Sequence, residues 1–287
     1  MAESPASDEA RAPARRRMSR RRPLTYLYRA VVVVYLFLLV AWPLFLVAQN
    51  SFAEGLGEMT AILEDPDVQH ALRLTVVVAV ASVVINTVFG VGVSILLVRY
   101  EFPGKRALSA FLDLPLSVSP IVVGLSLVLV YGGRNGWFGP TLESWGFQVI
   151  FATPAIIMAT VFVALPLVIR EVVPVLEEIG TEQEQAARSL GANAWQTFLR
   201  ITLPAIRWAI VYGVVLCLAR SLGEFGAVKV VSGNVLGATR TATQVVEEKY
   251  LNFDKGGAYA TAFLLAMVSV ACITVVSIIR PKEGIKK

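Results

Sequence analysis

Six long apolar runs, separated by short polar segments, dominate the chain: about 27–48, 72–98, 107–131, 150–170, 205–225 and 258–279. Each is near the ~20 residues that a helix needs to cross the hydrocarbon core of a bilayer. The runs are rich in Val, Ile, Leu and Ala, and several contain Gly or Pro. Membrane helices tolerate those two residues because neighbouring helices satisfy the freed backbone groups. The pattern therefore predicts an all-α polytopic membrane protein with about six transmembrane helices. The first run follows a basic stretch, as a signal peptide's core does. It is too long for such a core and has no evident small-residue cleavage site, so it reads as an uncleaved span.

Composition narrows the class. Of 287 residues, 56% are hydrophobic and 16% charged, and the mean hydropathy is +0.66. That leaves too little polar surface for a soluble protein of this length. The net charge of +5 does not point to nucleic acid, because the basic residues sit at the ends of apolar runs, where lipid phosphates account for them. Residues 1–23 form a polar tail with Arg15, Arg16, Arg17, Arg20, Arg21 and Arg22. Such a tail holds the N-terminus in the cytoplasm near anionic lipid. The segment 50–71 then lies outside, with Glu54, Glu58, Glu64, Asp65 and Asp67. The next loop, with Arg99, Lys105 and Arg106, lies inside, as do 171–204 and the tail with Arg280, Lys282, Lys286 and Lys287. Both termini are thus expected in the cytoplasm. Cys217 and Cys272 fall within apolar runs and read as small buried hydrophobes, and His70, the one histidine, makes no metal site. No phosphate loop, Ser/His/Asp set or dinucleotide fingerprint is present, so no catalytic residue, cofactor or metal is expected in this chain.

The most informative segment is Gly180-Thr-Glu-Gln-Glu-Gln-Ala-Ala-Arg-Ser-Leu-Gly191-Ala-Asn-Ala-Trp-Gln-Thr-Phe-Leu-Arg-Ile-Thr-Leu-Pro204. Thr181 followed by Glu184 forms a capping box that predicts a short helix, which Gly191 ends in the left-handed conformation. Asn193 with Gln196 is a weaker start signal for a second helix, and Pro204 predicts a break before the next span. Two short helices on a tight glycine turn would present Ala186, Ala187 and Ala192 to a protein approaching closely. The other use of such a hairpin is to lie on lipid. Glu182, Glu184 and Arg188, with no aromatic on that helix, suit an anionic surface poorly and favour a protein partner.

The order Gln185-Ala186-Ala187, three residues, Gly191, nine residues and Ile201-Thr202-Leu203-Pro204 resembles the EAA loop of bacterial ATP-binding-cassette importer permeases, whose short helices sit in a groove on the ATPase subunit. Gln185 departs from the family's usual Glu, although Glu184 lies beside it. The stretches 113–120 (Asp-Leu-Pro-Leu-Ser-Val-Ser-Pro) and 220–234 (Arg-Ser-Leu-Gly-Glu-Phe-Gly-Ala-Val-Lys-Val-Val-Ser-Gly-Asn) resemble sulfate/thiosulfate and molybdate permeases, nearest the W-type sulfate subunit. The resemblance implies a type I (MetI-like) permease domain over 24–280, between the basic tail and a short tail at 281–287. Its coupling loop covers about 181–204, with Glu184, Gln185, Ala186, Ala187, Gly191, Ala192, Ile201, Leu203 and Pro204 at the contact. It implies as partners a sister permease, two ATP-binding subunits that hold ATP and Mg, and an extracytoplasmic sulfate-binding protein, all at a bacterial plasma membrane. The alternatives are another oxyanion, molybdate above all, or a secondary transporter driven by an ion gradient. The latter predicts ionisable residues at the membrane midplane and inverted repeats, and the sequence offers one pair and no evident repeat.

That pair is Arg220 and Glu224, one helical turn apart near the outer half of the fifth run. It serves either to fix packing within the bundle or to supply a positive field along an oxyanion path. Ser117 and Ser119, ahead of Pro120, either bond to helix carbonyls or line the path without charge. Ser117, Ser119, Arg220, Ser221 and Glu224 are the candidate path residues. Asp113 would repel an anion, so it is expected at the cytoplasmic edge, paired with Lys105 or Arg106.

Overall fold

The computed structural model describes residues 22–53 and 55–278. The tail arginines Arg15, Arg16, Arg17, Arg20 and Arg21, the loop residue Glu54, and Arg280, Lys282, Lys286 and Lys287 lie outside the described residues. The chain divides into two units, through Leu46 and from Val47 onward. The first holds α1 (Arg22–Leu36), a π turn at Phe37–Ala41 and the start of α2 (Trp42–Ser51), whose last residues from Val47 belong to the second. Together they give an apolar helix of 27 residues, Thr25–Ser51.

In the second unit helix is the only regular secondary structure among the described residues, with three continuous helices long and apolar enough to cross a bilayer and a fourth interrupted by one π turn. These are α4 (Pro66–Arg99), α8 (Thr153–Ile179), Ala194–Leu222 and α14 (Lys255–Ile278). Short helices link them: α3 (Leu56–Glu64), α7 (Gly139–Ser144), α12 (Gly226–Val231) and α13 (Ala242–Leu251). Helix α4 starts six residues before the apolar run because Asp65 caps it, accepting from the Asp67 amide at 2.9 Å, and Pro66 fits the first turn.

The third run is not a straight span. It forms α5 (Lys105–Ser117) and α6 (Pro120–Tyr131), bent by 112° at Val118 and Ser119. Both break residues are extended, the conformation that a following proline imposes on Ser119. The pair still traverses the bundle, as its neighbours along α8 show. Lys105 lines one cavity with Val173 and Glu177, Asp113 meets Arg170, and Tyr131 packs with the cluster containing Ala155 and Ala159. Helix α5 advances only about two turns along α8, so α6 covers most of the depth.

Helix α8 is the centre of the core. Val91 of α4, Val168, Val172 and Leu176 of α8, and Ile206, Ala209 and Cys217 of the fifth span form one buried cluster. Small residues allow the close approach, as they do between membrane helices generally. A Cβ added to Gly90 would meet Val168 Cβ at 3.0 Å, and one added to Gly213 would meet Val168 Cα at 2.9 Å. Asn86 of α4 donates across the interface to the Val161 carbonyl at 3.1 Å. Thr75, Ser94 and Thr160 return their hydroxyls to carbonyls of their own helices, which satisfies them in an apolar setting.

Pro204 does not break the chain before the fifth span. Helix α10 (Ala194–Thr197) passes through a π turn at Phe198–Thr202 into α11 (Leu203–Leu222), with Pro204 in the first turn of α11. The π turn removes the need for the hydrogen bond that a proline amide cannot make.

Candidate functional site: a hairpin at one end and two broken helices

The hairpin consists of α9 (Glu182–Ser189) and α10. Its turn is a complete Schellman arrangement: the Ala192 amide donates to Ala187 O at 3.0 Å and the Gly191 amide to Arg188 O at 3.0 Å. Gly191 has φ +87°, and nothing lies within 4 Å of where its Cβ would be. Its requirement is therefore conformational, not one of packing within this chain.

The capping signals exchange ranks. Thr181 has a helical backbone and makes no side-chain cap; its Oγ1 accepts from Gln185 Nε2 at 2.9 Å. Asn193 carries the capping box: its Oδ1 accepts from the Gln196 amide at 2.8 Å, and Gln196 Oε1 accepts from the Asn193 amide at 3.0 Å. Replacing Asn193 with alanine should cost about 1 kcal/mol of local helix stability. Hydrogen exchange at residues 195–198 should then accelerate about fivefold, the factor matching that energy, while Thr181→Ala leaves those amides unchanged. Equal effects of the two substitutions would contradict this assignment.

Glu184 is displaced from its expected place at the contact surface because it turns inward. It is buried, pairs with Arg99 at 3.1 Å and accepts from Thr202 Oγ1 at 2.8 Å. Gln185, Ala186, Gly191 and Pro204 are exposed, while Ala187, Ala192, Ile201 and Leu203 are half-buried. The sequence reading missed the apolar part of the surface: Leu190 is 90% and Trp195 66% exposed, with Leu199 beside them in the chain and also exposed. The available signal was Leu190 and Trp195, the two large apolar residues in the otherwise polar or small-residue stretch 180–197. Trp195 is steadied by Phe198, 5.7 Å between ring centroids, and Phe198 packs into the core. Behind the hairpin a cavity of about 430 Å³ is lined by Arg99, Glu184, Trp195 and Thr202.

The second site lies where two helices are interrupted. A Cβ on Gly226, at the start of α12, would come within 3.1 Å of Pro120 Cβ, at the start of α6. The break between α5 and α6 therefore abuts the break between α11 and α12. Ser117 and Ser119 flank the first break and are exposed; Ser119 makes no side-chain cap. At the second, Arg220 Nη1 meets Glu224 at 2.8 Å. The pair is not within one helix, because α11 ends at Leu222. Glu224 instead caps α12, accepting from the Ala227 amide at 2.9 Å, and Thr243 donates to its carbonyl at 3.2 Å. The carboxylate is nearly fully buried and the guanidinium is 38% exposed, so the positive end of the pair faces outward. Ser221 is buried, away from that surface.

Asp113 pairs with Arg170 at 3.0 Å, not with Lys105 or Arg106; Lys105 is held by Glu101 at 2.7 Å. The two partners of Asp113 and Arg170 are 57 positions apart, and only the fold brings α5 against α8.

A family model described as "binding-protein-dependent transport system inner membrane component" matches residues 86–283. The sulfate transport system permease protein CysW of Synechocystis sp. is 47% identical over 259 residues, 90% of this chain and 94% of that protein. The protein of the same name from Synechococcus elongatus is 47% identical over 254 residues, 88% of each chain. A solved bacterial alginate ABC transporter, in complex with an alginate pentasaccharide-bound periplasmic protein, superposes with a TM-score of 0.77 at 16% identity. It covers 89% of this chain and 93% of that one, and the likeness is one of fold.

Proposed function

The chain belongs to the family of binding-protein-dependent transport system inner membrane components, and from that premise we propose that it is the permease subunit of an ATP-driven sulfate importer. The observation that carries the substrate is the 47% identity to sulfate permeases over 90% of the chain. The hairpin is the dock for a separate ATPase subunit: Leu190 and Trp195 are large apolar residues left exposed on either side of the turn fixed by Gly191, with Leu199 exposed one helical turn on. Such exposed apolar surface is costly to leave in water and suits a partner groove. The hairpin and both termini lie in the cytoplasm, and an extracytoplasmic binding protein delivers the anion at the other face; the solved complex of the alginate transporter with a periplasmic protein supports such a partner. A sister permease completes the pore, and two ATPase subunits bind ATP and Mg.

The path passes the abutting breaks. Helix α6 begins there with first-turn amides that no helix carbonyl satisfies, and these, with the Ser117 and Ser119 hydroxyls, can attend an oxyanion without a fixed charge. Arg220, partly neutralised by Glu224, adds a positive field weak enough to let a dianion leave. Closure of the ATPase pair on nucleotide draws two hairpins together, and the spans turn from one face to the other. The nucleotide drives this because it binds the closed state more tightly.

The test is uptake of radiolabelled sulfate into proteoliposomes holding the assembled importer, with molybdate and thiosulfate as competitors. ATP-dependent sulfate uptake that requires the binding protein is expected. Uptake of molybdate alone would replace the substrate, and uptake without ATP would end the importer reading. In the same assay Arg220→Gln should slow uptake at least about tenfold, a barrier change of about 1.4 kcal/mol, with Glu224→Gln milder. Unchanged uptake in a stably assembled Arg220→Gln complex would remove Arg220 from the path.

A further inference from the structure

We infer that Arg99 is a positioning residue that makes the hairpin and three spans move as one piece. It is the last residue of α4. Its Nη1 donates to the Leu176 carbonyl at 3.0 Å and its Nη2 to the Gly180 carbonyl at 2.7 Å, so it holds the end of α8. Its Nε donates to Glu184 at 3.2 Å, in the first turn of α9. Glu184 in turn accepts from Thr202 at 2.8 Å, in the π turn that leads into α11. One guanidinium thus ties α4 to α8 and the hairpin, and one carboxylate extends the tie to the root of α11. The two side chains are only 9% and 12% exposed.

The chemistry fits arginine and no other residue. The last carbonyls of α8 lack helical partners and carry the negative end of its dipole, so a cation with several donors is favoured there. A guanidinium reaches three acceptors in different directions through a rigid fork, whereas an ammonium is a single point on a flexible stem. The mechanical consequence rests on the docking reading above. The hairpin is joined to α8 through Gly180, at φ +62°, and turns again at Gly191. Held only by such joints, it would swivel when the ATPase moved, and the motion would stop there. The buried tie removes that slack.

Arg99→Lys keeps the charge and loses the fork. In proteoliposomes with binding protein, ATP and sulfate, it should lower sulfate moved per ATP hydrolysed by about tenfold, within the usual range of coupling factors, while ATP hydrolysis continues. Thr202→Val, which removes one bond to Glu184, should lower the ratio less, and Glu184→Gln should lie between. A structural role alone would reduce the amount of complex, or both rates in proportion, and leave the ratio fixed. An unchanged ratio in Arg99→Lys overturns the inference; where that variant does not assemble, unchanged ratios in both Thr202→Val and Glu184→Gln do so. A Leu190→Asp/Trp195→Asp variant separates this from failure of the docking reading. If the ATPase subunit still co-purifies with that variant, the hairpin is not its dock, whatever Arg99 does.

Discussion

Replacing Gly191 with valine is expected to abolish uptake while leaving the spans folded. At φ +87° a β-branched side chain is strained, at a cost of about 1–3 kcal/mol that falls wholly on the conformation of the turn. The Schellman bonds of Gly191 and Ala192 then compete with a relaxed backbone. The docking-competent hairpin should drop about tenfold to a hundredfold in population, and the apparent affinity for the ATPase subunit should weaken by the same factor. The substitution series separates the two reasons a glycine can be required. Asparagine tolerates the left-handed region better than alanine, and alanine better than valine. Affinity ordered Gly, Asn, Ala, Val would show that backbone conformation sets the requirement. If Asn, Ala and Val are equally harmful, the partner's close approach sets it instead, because this chain leaves open space around that Cβ. Wild-type affinity in Gly191→Val, measured by ATPase-subunit binding to the purified permease, would refute both and remove the turn from the contact.

What could be read from the sequence was what depends on local pattern. Apolar runs of bilayer length gave the spans, and Gly191 gave the turn, since a left-handed residue after a short helix has a local cause. What could not be read depends on residues far apart. Arg99 looked like an orienting cation at a span end; that it reaches Glu184, 85 positions on, follows only from α4 packing against α8. The same holds for Asp113, assigned to its sequence neighbours Lys105 and Arg106 and found with Arg170. Prolines misled in both directions. Pro204 suggested a break and sits just after a π turn within a continuous helix, whereas Pro120, inside an apolar run, marks the 112° bend. Hydropathy does not distinguish them, because a broken span and a straight one have the same composition. The exposed Leu190 and Trp195 went unread for a related reason: apolar residues in a short helix read as packing until their surroundings are known.

The close packing around Val168 yields a prediction with different outcomes for two similar changes. Val168 of α8 is pinched between Gly90 of α4 and Gly213 of α11. A Cβ at Gly90 would meet Val168 Cβ and Cγ1, both at 3.0 Å, which are side-chain atoms. A Cβ at Gly213 would meet Val168 Cα at 2.9 Å, which is backbone. Gly90→Ala and Gly213→Ala should each destabilise the permease by about 1–3 kcal/mol through overpacking, read as a lower thermal midpoint of the purified protein. Combining Gly90→Ala with Val168→Ala should recover part of the loss, since trimming valine removes Cγ1, one of the two atoms at 3.0 Å, while Cβ stays in place. Combining Gly213→Ala with Val168→Ala should recover little, because no side-chain change moves the α8 backbone away. Gly213→Leu should be the most damaging of the set, forcing α11 off α8 and with it the hairpin's attachment through Thr202. Rescue of both pairs by Val168→Ala to the same extent would mean that α8 and α11 are not in the backbone contact described, and that α11 can shift without cost.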